Sequence, residues 1–166
     1  NFPAAMITRK VAPALAAGCS IIVKPASETP LTALAIAKLA EKAGFPAGVF
    51  NVITGSSTKI GKILTESPII KKLSFTGSTE IGAKLMAQSA PTIKKHSLDL
   101  GGNAPVLVFN SANIDQAVQG VMHTKFRNAG QTCVCANRIY VQSEIYDVFV
   151  EKLKIKVEQL HVGNGL

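Results

Sequence analysis

Lys72-Leu73-Ser74-Phe75-Thr76-Gly77-Ser78-Thr79-Glu80-Ile81-Gly82 passes from a short extended segment directly into a helical one. Residues 72–76 read as a strand and 78–88 as a helix, with glycine and hydroxyl side chains at the join. At a helix N-terminus, free amides and the helix dipole favour a phosphate, and the same side chains also serve as ordinary caps. The arrangement recurs on both sides. Upstream, a helix over 4–17 stops at Gly18, and a strand over 20–24 precedes a helix that takes Thr29 as cap and Pro30 as first-turn residue and ends before Gly44. A strand over 49–53 then leads through Gly55-Ser56-Ser57 into a helix over 57–66. Downstream, 96–100 is extended, 105–109 is a strand, and a helix starts at Asn113 with Gln116 placed for a capping box. A strand over 139–142 and a helix over 145–160 close the series. Alternating strand and helix predict an α/β fold with largely parallel pairing, a doubly wound sheet over the first hundred residues.

The paired glycines of Gly101-Gly102-Asn103 permit a sharp change of direction and mark the best internal boundary. Two regions follow, 1–100 and 101–166, the second opening another α/β domain. At 47% hydrophobic, the chain has ample apolar residues for a core, with no apolar run of transmembrane length and no signal segment. No membrane role is expected. Three cysteines are too few and too unevenly spaced for a disulfide framework, which points to a reducing compartment. The net charge of +8 comes from lysines scattered on helix faces, with seven phenylalanines and two tyrosines but no stacking motif. That pattern argues against nucleic acid and for a solvated surface that can steer an anionic substrate. Asn1-Phe2-Pro3 is not an initiator sequence and Gly163-Asn164-Gly165-Leu166 is a turn signal, so the chain reads as an internal portion of something longer.

The dinucleotide fingerprint Gly-x-Gly-x-x-Gly and the Gly-Lys-Ser/Thr phosphate loop are both absent. Two strand-to-helix junctions stand as candidates instead: Thr54-Gly55-Ser56-Ser57, with Gly61 in the following helix, and the Ser78 junction quoted above. Lys24 ends a strand in Val23-Lys24-Pro25-Ala26-Ser27-Glu28-Thr29-Pro30 and faces the crevice where α/β sheets bind ligands. Cys133 lies in Phe126-Arg127-Asn128-Ala129-Gly130-Gln131-Thr132-Cys133-Val134-Cys135-Ala136-Asn137-Arg138, a tight connection between helix and strand. A thiol is a useful nucleophile only as thiolate, which cations, dipoles and amides stabilise. The other reading is a buried free cysteine. Cys135 is half a metal pair at most, and Cys19, His96, His123 and His161 form no second cluster, so no metal is expected.

The Gly-Gln-Thr-Cys turn resembles the nucleophile segment of aldehyde dehydrogenases, most like the succinate-semialdehyde branch. Phe75-Thr76-Gly77-Ser78, Asn1-Phe2-Pro3 and Leu98-Asp99-Leu100-Gly101-Gly102 match further motifs of that family. The resemblance implies the later part of a Rossmann-like NAD(P)-binding domain over 1–100 and the first part of the thiol-bearing catalytic domain over 101–166. By the same resemblance Cys133 is the nucleophile, Asn1 the oxyanion donor and Asp99 the base, with aspartate where the family has glutamate. Lys24 holds the adenosine ribose, Ser78 the pyrophosphate, and Gly55 and Gly61 belong to the cofactor side. Ser27 stands where NAD-preferring members commonly carry glutamate, so NADP is expected, with NAD as the alternative. Arg9 and Arg127 match arginines that hold the substrate carboxylate, a group that guanidinium forks bind bidentately. Cys135 is either packed or a reversible disulfide partner of Cys133. The implied reaction is oxidation of succinate semialdehyde to succinate, with glutarate semialdehyde as the rival substrate, in a cytoplasmic homodimer or homotetramer. The family's later Glu-x-Phe-Gly-Pro motif does not occur here, so the 166 residues alone are expected to be weakly active or inactive.

Overall fold

The computed structural model describes residues 1–164; the last two residues of the terminal turn signal, Gly165 and Leu166, lie outside the described residues. The chain divides into two compact units, one spanning Phe2–Leu100, the other running from Gly101 onward and taking in Asn1.

The first unit runs α1 (Pro3–Ala16), β1 (Ile21–Val23), α2 (Pro30–Lys42), β2 (Phe50–Val52), α3 (Ser57–Glu66), β3 (Lys72–Gly77), α4 (Thr79–Ser89) and β4 (Lys95–Leu100). β1 pairs in parallel with β2, and β3 with β4, so α2 and α4 are the crossover helices that parallel pairing requires. Ile7 and Val11, one turn apart on α1, bury their side chains with Ala33 of α2 against Ile21, Val23, Phe50 and Val52. Four-residue spacing puts both α1 side chains on one face. Gly18 (φ 74) and Gly44 (φ 87) adopt the left-handed conformation expected just past a helix end. At the opening stretch the caps form as read: Ser78 Oγ accepts from Ile81 N at 3.3 Å. Gly82 in α4 has a packing purpose, because a Cβ there would come within 2.8 Å of Leu100 Cδ2 on β4. Lys94, buried just before β4, donates its Nζ to the carbonyls of Ser67 (2.8 Å) and Ile70 (3.2 Å), which ties the α3–β3 loop down.

The second unit holds β5 (Ala104–Val108), α5 (Ile114–Phe126), β6 (Ala136–Val141) and α6 (Ser143–Glu158). β5 and β6 are parallel, with Val106 opposite Ile139. β6 starts three residues earlier than expected, and the register shifts between Ala104 and Pro105, which are opposite Ala136 and Arg138. Pro105 has no N–H to give a ladder, so an irregularity at that place costs little. Val108, Val118, Val121 and Phe149 form the core. Asn113 Oδ1 caps α5 by accepting from Gln116 N at 3.1 Å.

The α/β class with parallel strands is as expected. Among the described residues the strands pair in twos, β1–β2, β3–β4 and β5–β6, and no ladder joins these pairs into one sheet. Also among the described residues, no helix is long and apolar enough to cross a membrane. Sequence periodicity missed the short 3-10 segments at Ala90–Thr92 and Arg127–Gly130, each too brief to show a period.

Candidate active site

Cys133 follows a turn built almost wholly from left-handed residues. Asn128 (φ 52, ψ 44) and Ala129 (φ 55, ψ 30) adopt that conformation, and Gly130 continues it at φ 77. Asparagine and glycine visit this region readily, whereas for alanine it costs about 1–2 kcal/mol. Hydrogen bonds hold the strained path. Gln131 N donates to Asn128 O (3.0 Å), Thr132 Oγ1 to Arg127 O (3.3 Å) and Cys135 N to Thr132 O (3.0 Å). Asn1 is stitched to the same turn: its Nδ2 donates to Gln131 O at 2.7 Å, and Asn128 Nδ2 donates to Asn1 O at 3.4 Å. An amide nitrogen carries two protons, so one proton of Asn1 Nδ2 is left for another acceptor. Gly102 runs beside the loop, where a Cβ would approach Cys133 O to 3.4 Å. Lys125 Nζ donates to Asn137 Oδ1 (2.6 Å), whose Nδ2 reaches Gly102 O (3.5 Å). Cys133 is exposed, Cys135 is buried, and both are free thiols. Arg127, the C-cap of α5, is exposed at the start of the turn.

In the first unit, Asp99 of β4 gathers three donors on one oxygen. Arg9 Nη2 of α1 lies 2.6 Å from Oδ2, Thr76 Oγ1 of β3 donates to it at 3.3 Å, and Lys10 Nζ stands 3.7 Å away. Lys10 Nζ also donates to Thr76 Oγ1 at 2.7 Å. Burial pushes the Lys10 ammonium below its ordinary pKa, Asp99 pulls it back up, and Arg9 adds to the lowering. The residues assigned as base and as carboxylate clamp are thus bonded to each other. Lys10 and Thr76 were not anticipated. Thr76 is the Cα partner of Asp99 in the β3–β4 register, a fact available only once the two strands are known to pair.

A third feature lies where β1 and β2 hand over to the loops before α2 and α3. Lys24, Pro25, Ser27, Pro30, Thr54 and Gly55 line a pocket of about 200 Å³. It brings together Lys24, Ser27 and Gly55 of the sequence-assigned set. Gly55 sits at φ 138, which a side chain rarely adopts. Gly61 and Ser78 are not among the lining residues. Gly61 lies inside α3, where a Cβ would make an ordinary 3.7 Å contact with Leu85 of α4. Ser78 is spent as an acceptor in the α4 cap and keeps its hydroxyl proton to donate. Among the described residues no group of three or more His, Cys, Asp or Glu could hold a metal ion.

The aldehyde dehydrogenase family model matches residues 1–166, and the chain belongs to that family. It is 64% identical over 166 residues to the NADP(+) succinate-semialdehyde dehydrogenase of Escherichia coli, covering 100% of this chain and 34% of that protein. It is 63% identical to the glutarate-semialdehyde dehydrogenase of Pseudomonas aeruginosa and 63% identical to the 3-sulfolactaldehyde dehydrogenase of Pseudomonas putida, with the same coverage of 100% and 34% in each case. Among solved structures, an NADP-dependent enzyme of Escherichia coli superposes with a TM-score of 0.97 at 64% identity, over 99% of this chain and 34% of that one. The chain therefore spans about a third of the length of the relatives it matches.

Proposed function

We propose that the whole protein oxidises succinate semialdehyde to succinate, with NADP as hydride acceptor and NAD as the alternative, through a covalent intermediate on Cys133. The observation that carries the reading is the exposed thiol on a strained turn into which the Asn1 amide is bonded. Cys133 Sγ, as thiolate, adds to the aldehyde carbon and leaves the carbonyl electron pair on oxygen. The remaining Asn1 amide proton and a backbone N–H of the loop stabilise that oxyanion. Lys24, Ser27 and Ser78 would hold the cofactor, which would supply a nicotinamide able to accept hydride. Asp99 then takes a proton from water as the water oxygen bonds to the acyl carbon, and the breaking C–S bond returns its electron pair to Sγ.

The first unit is read as the later part of the NAD(P)-binding domain and the second as the first part of the catalytic domain. Lys24 and Ser27, on the lip of the 200 Å³ pocket, fit a ribose and its 2′-phosphate: a cation and a hydroxyl donor with no carboxylate in the lining. Ser78 is assigned to the pyrophosphate, and Gly55 and Gly61 to the backbone approach beside it. Ser27→Glu in the whole protein is expected to weaken NADP about tenfold through like-charge repulsion and to spare NAD. Measuring kcat/KM for both cofactors checks this, and an unchanged ratio removes Ser27 from the 2′-phosphate site.

The substrate reading rests on the arginines and on the relatives. Each of the three named relatives is named for an aldehyde that bears an anionic group. Arg9, half exposed at 52%, already holds a carboxylate at 2.6 Å. Arg9→Ala or Arg127→Ala is expected to lower kcat/KM for succinate semialdehyde about tenfold while barely changing butyraldehyde. Equal losses on both aldehydes count against a carboxylate clamp. Glutarate semialdehyde stays as the second reading, because the relative named for it is 63% identical against 64%. A substrate panel on the whole protein separates the two.

Cys135 is assigned as the redox partner: a disulfide oxidant such as glutathione disulfide takes two electrons as the Cys133–Cys135 bond closes. Such close-spaced bridges are strained and readily reduced. Because Cys135 is buried, the loop must open first. The cytoplasmic setting rests on the number and spacing of the cysteines in the sequence. A homodimer or homotetramer of the whole protein rests on the family resemblance.

A further inference from the structure

The Arg9–Asp99 pair is built asymmetrically. Arg9 is half open to solvent, whereas Asp99 is only a quarter exposed (52% against 25%). Asp99 has two further partners on the same oxygen, the Thr76 hydroxyl and the Lys10 ammonium, and neither depends on Arg9. If Arg9 swings away, the carboxylate keeps a hydrogen bond and a nearby cation. Beyond Asp99, among the described residues, the hydrogen-bond partner of Arg9 is Met6 Sδ at 3.7 Å. Lys10, more enclosed than Arg9 (21% exposed) and bonded to Thr76, is the fixed partner of Asp99, and Arg9 is the exchangeable one.

We propose that Asp99 is an internal stand-in for the substrate's carboxylate: without ligand it latches Arg9, and a carboxylate-bearing ligand takes Arg9 from it. The proposal rests on the reading of Arg9 as a carboxylate site. Two consequences follow. The apparent affinity for a carboxylate ligand is reduced by the fraction of molecules that are latched. Asp99 also loses its shortest bond only when a carboxylate occupies Arg9, so a neutral aldehyde leaves the assigned base latched.

The test is a titration of the whole protein with succinate, followed by calorimetry, for the wild type, Asp99→Asn, Arg9→Ala and the double variant. Asparagine keeps the shape and removes the competing charge. Asp99→Asn is expected to tighten succinate about three- to tenfold, a range set by how exposed the pair is. In the Arg9→Ala background the same change is expected to alter affinity less than about twofold, because no latch remains to release. If Asp99→Asn tightens binding equally in both backgrounds, the effect is that of a removed negative charge and the latch is overturned. If Arg9→Ala weakens succinate but Asp99→Asn leaves it unchanged or weaker, the latch is likewise overturned and the clamp reading of Arg9 stands. If Arg9→Ala leaves the affinity unchanged, the clamp reading fails and the latch with it. Asp99→Ser supplies the same comparison if the asparagine variant does not accumulate as folded protein.

Discussion

Cys133→Ala in the whole protein is expected to lower aldehyde oxidation by about a thousandfold or more, the scale seen when a covalent nucleophile is removed. The loss is large because no other side chain of the turn can form the acyl intermediate. Thr132 is bonded to the Arg127 carbonyl, and Cys135 is buried at 2% exposure. The structural cost is small, since an exposed thiol contributes little packing and the left-handed turn is held by backbone and Asn1 contacts that do not involve Sγ. Binding of the reduced cofactor, followed by its fluorescence, is expected to be unchanged. An alanine variant that turns over at a near-normal rate removes Cys133 from the role of nucleophile. A variant that loses cofactor binding as well points to a collapsed fold, which a thermal melt would detect.

Asp99→Glu is expected to raise the steady rate with a substrate that acylates quickly, by up to about a hundredfold if the base is short by one methylene. Acylation delivers the hydride without calling on this carboxylate, so the aspartate protein is expected to give a burst of reduced cofactor followed by a slower phase. In the structure all three donors sit on Oδ2, and among the described residues none donates to Oδ1. Glutamate reaches one bond further and changes how the carboxylate meets Arg9. Stopped-flow absorbance of both proteins decides the matter. A shrunken burst with a faster steady rate supports a reach-limited base. No burst in the aspartate protein, and no gain from glutamate, would mean that another step or another group limits hydrolysis.

Most element types were legible because their causes are local. The helix over 57–66 is found with those bounds, α1, α2 and α4 lie within a residue or two of expectation, and α5 starts just after Asn113. Caps and stops are written in adjacent residues: Ser78 with Ile81, Asn113 with Gln116, and Gly18 and Gly44 at helix ends. The Asn128-Ala129-Gly130 run also held a signal, since asparagine and glycine tolerate positive φ. Ala129 hid it, because nothing about an alanine announces a left-handed conformation.

The sequence by itself determined the alternation of strand and helix and the residue types able to do thiol chemistry and bind anions. Those depend on period, capping and side-chain chemistry, which act over a few residues. Only the tertiary structure decided which of these residues meet. Asn1 joins Gln131 across 130 positions, Arg9 joins Asp99 across 90, and Thr76 faces Asp99 because β3 and β4 pair in that register. A half-exposed arginine can pair with any carboxylate that comes within reach. Its partner is chosen by how α1, β3 and β4 are packed, and that choice joins the residue proposed as clamp to the residue proposed as base.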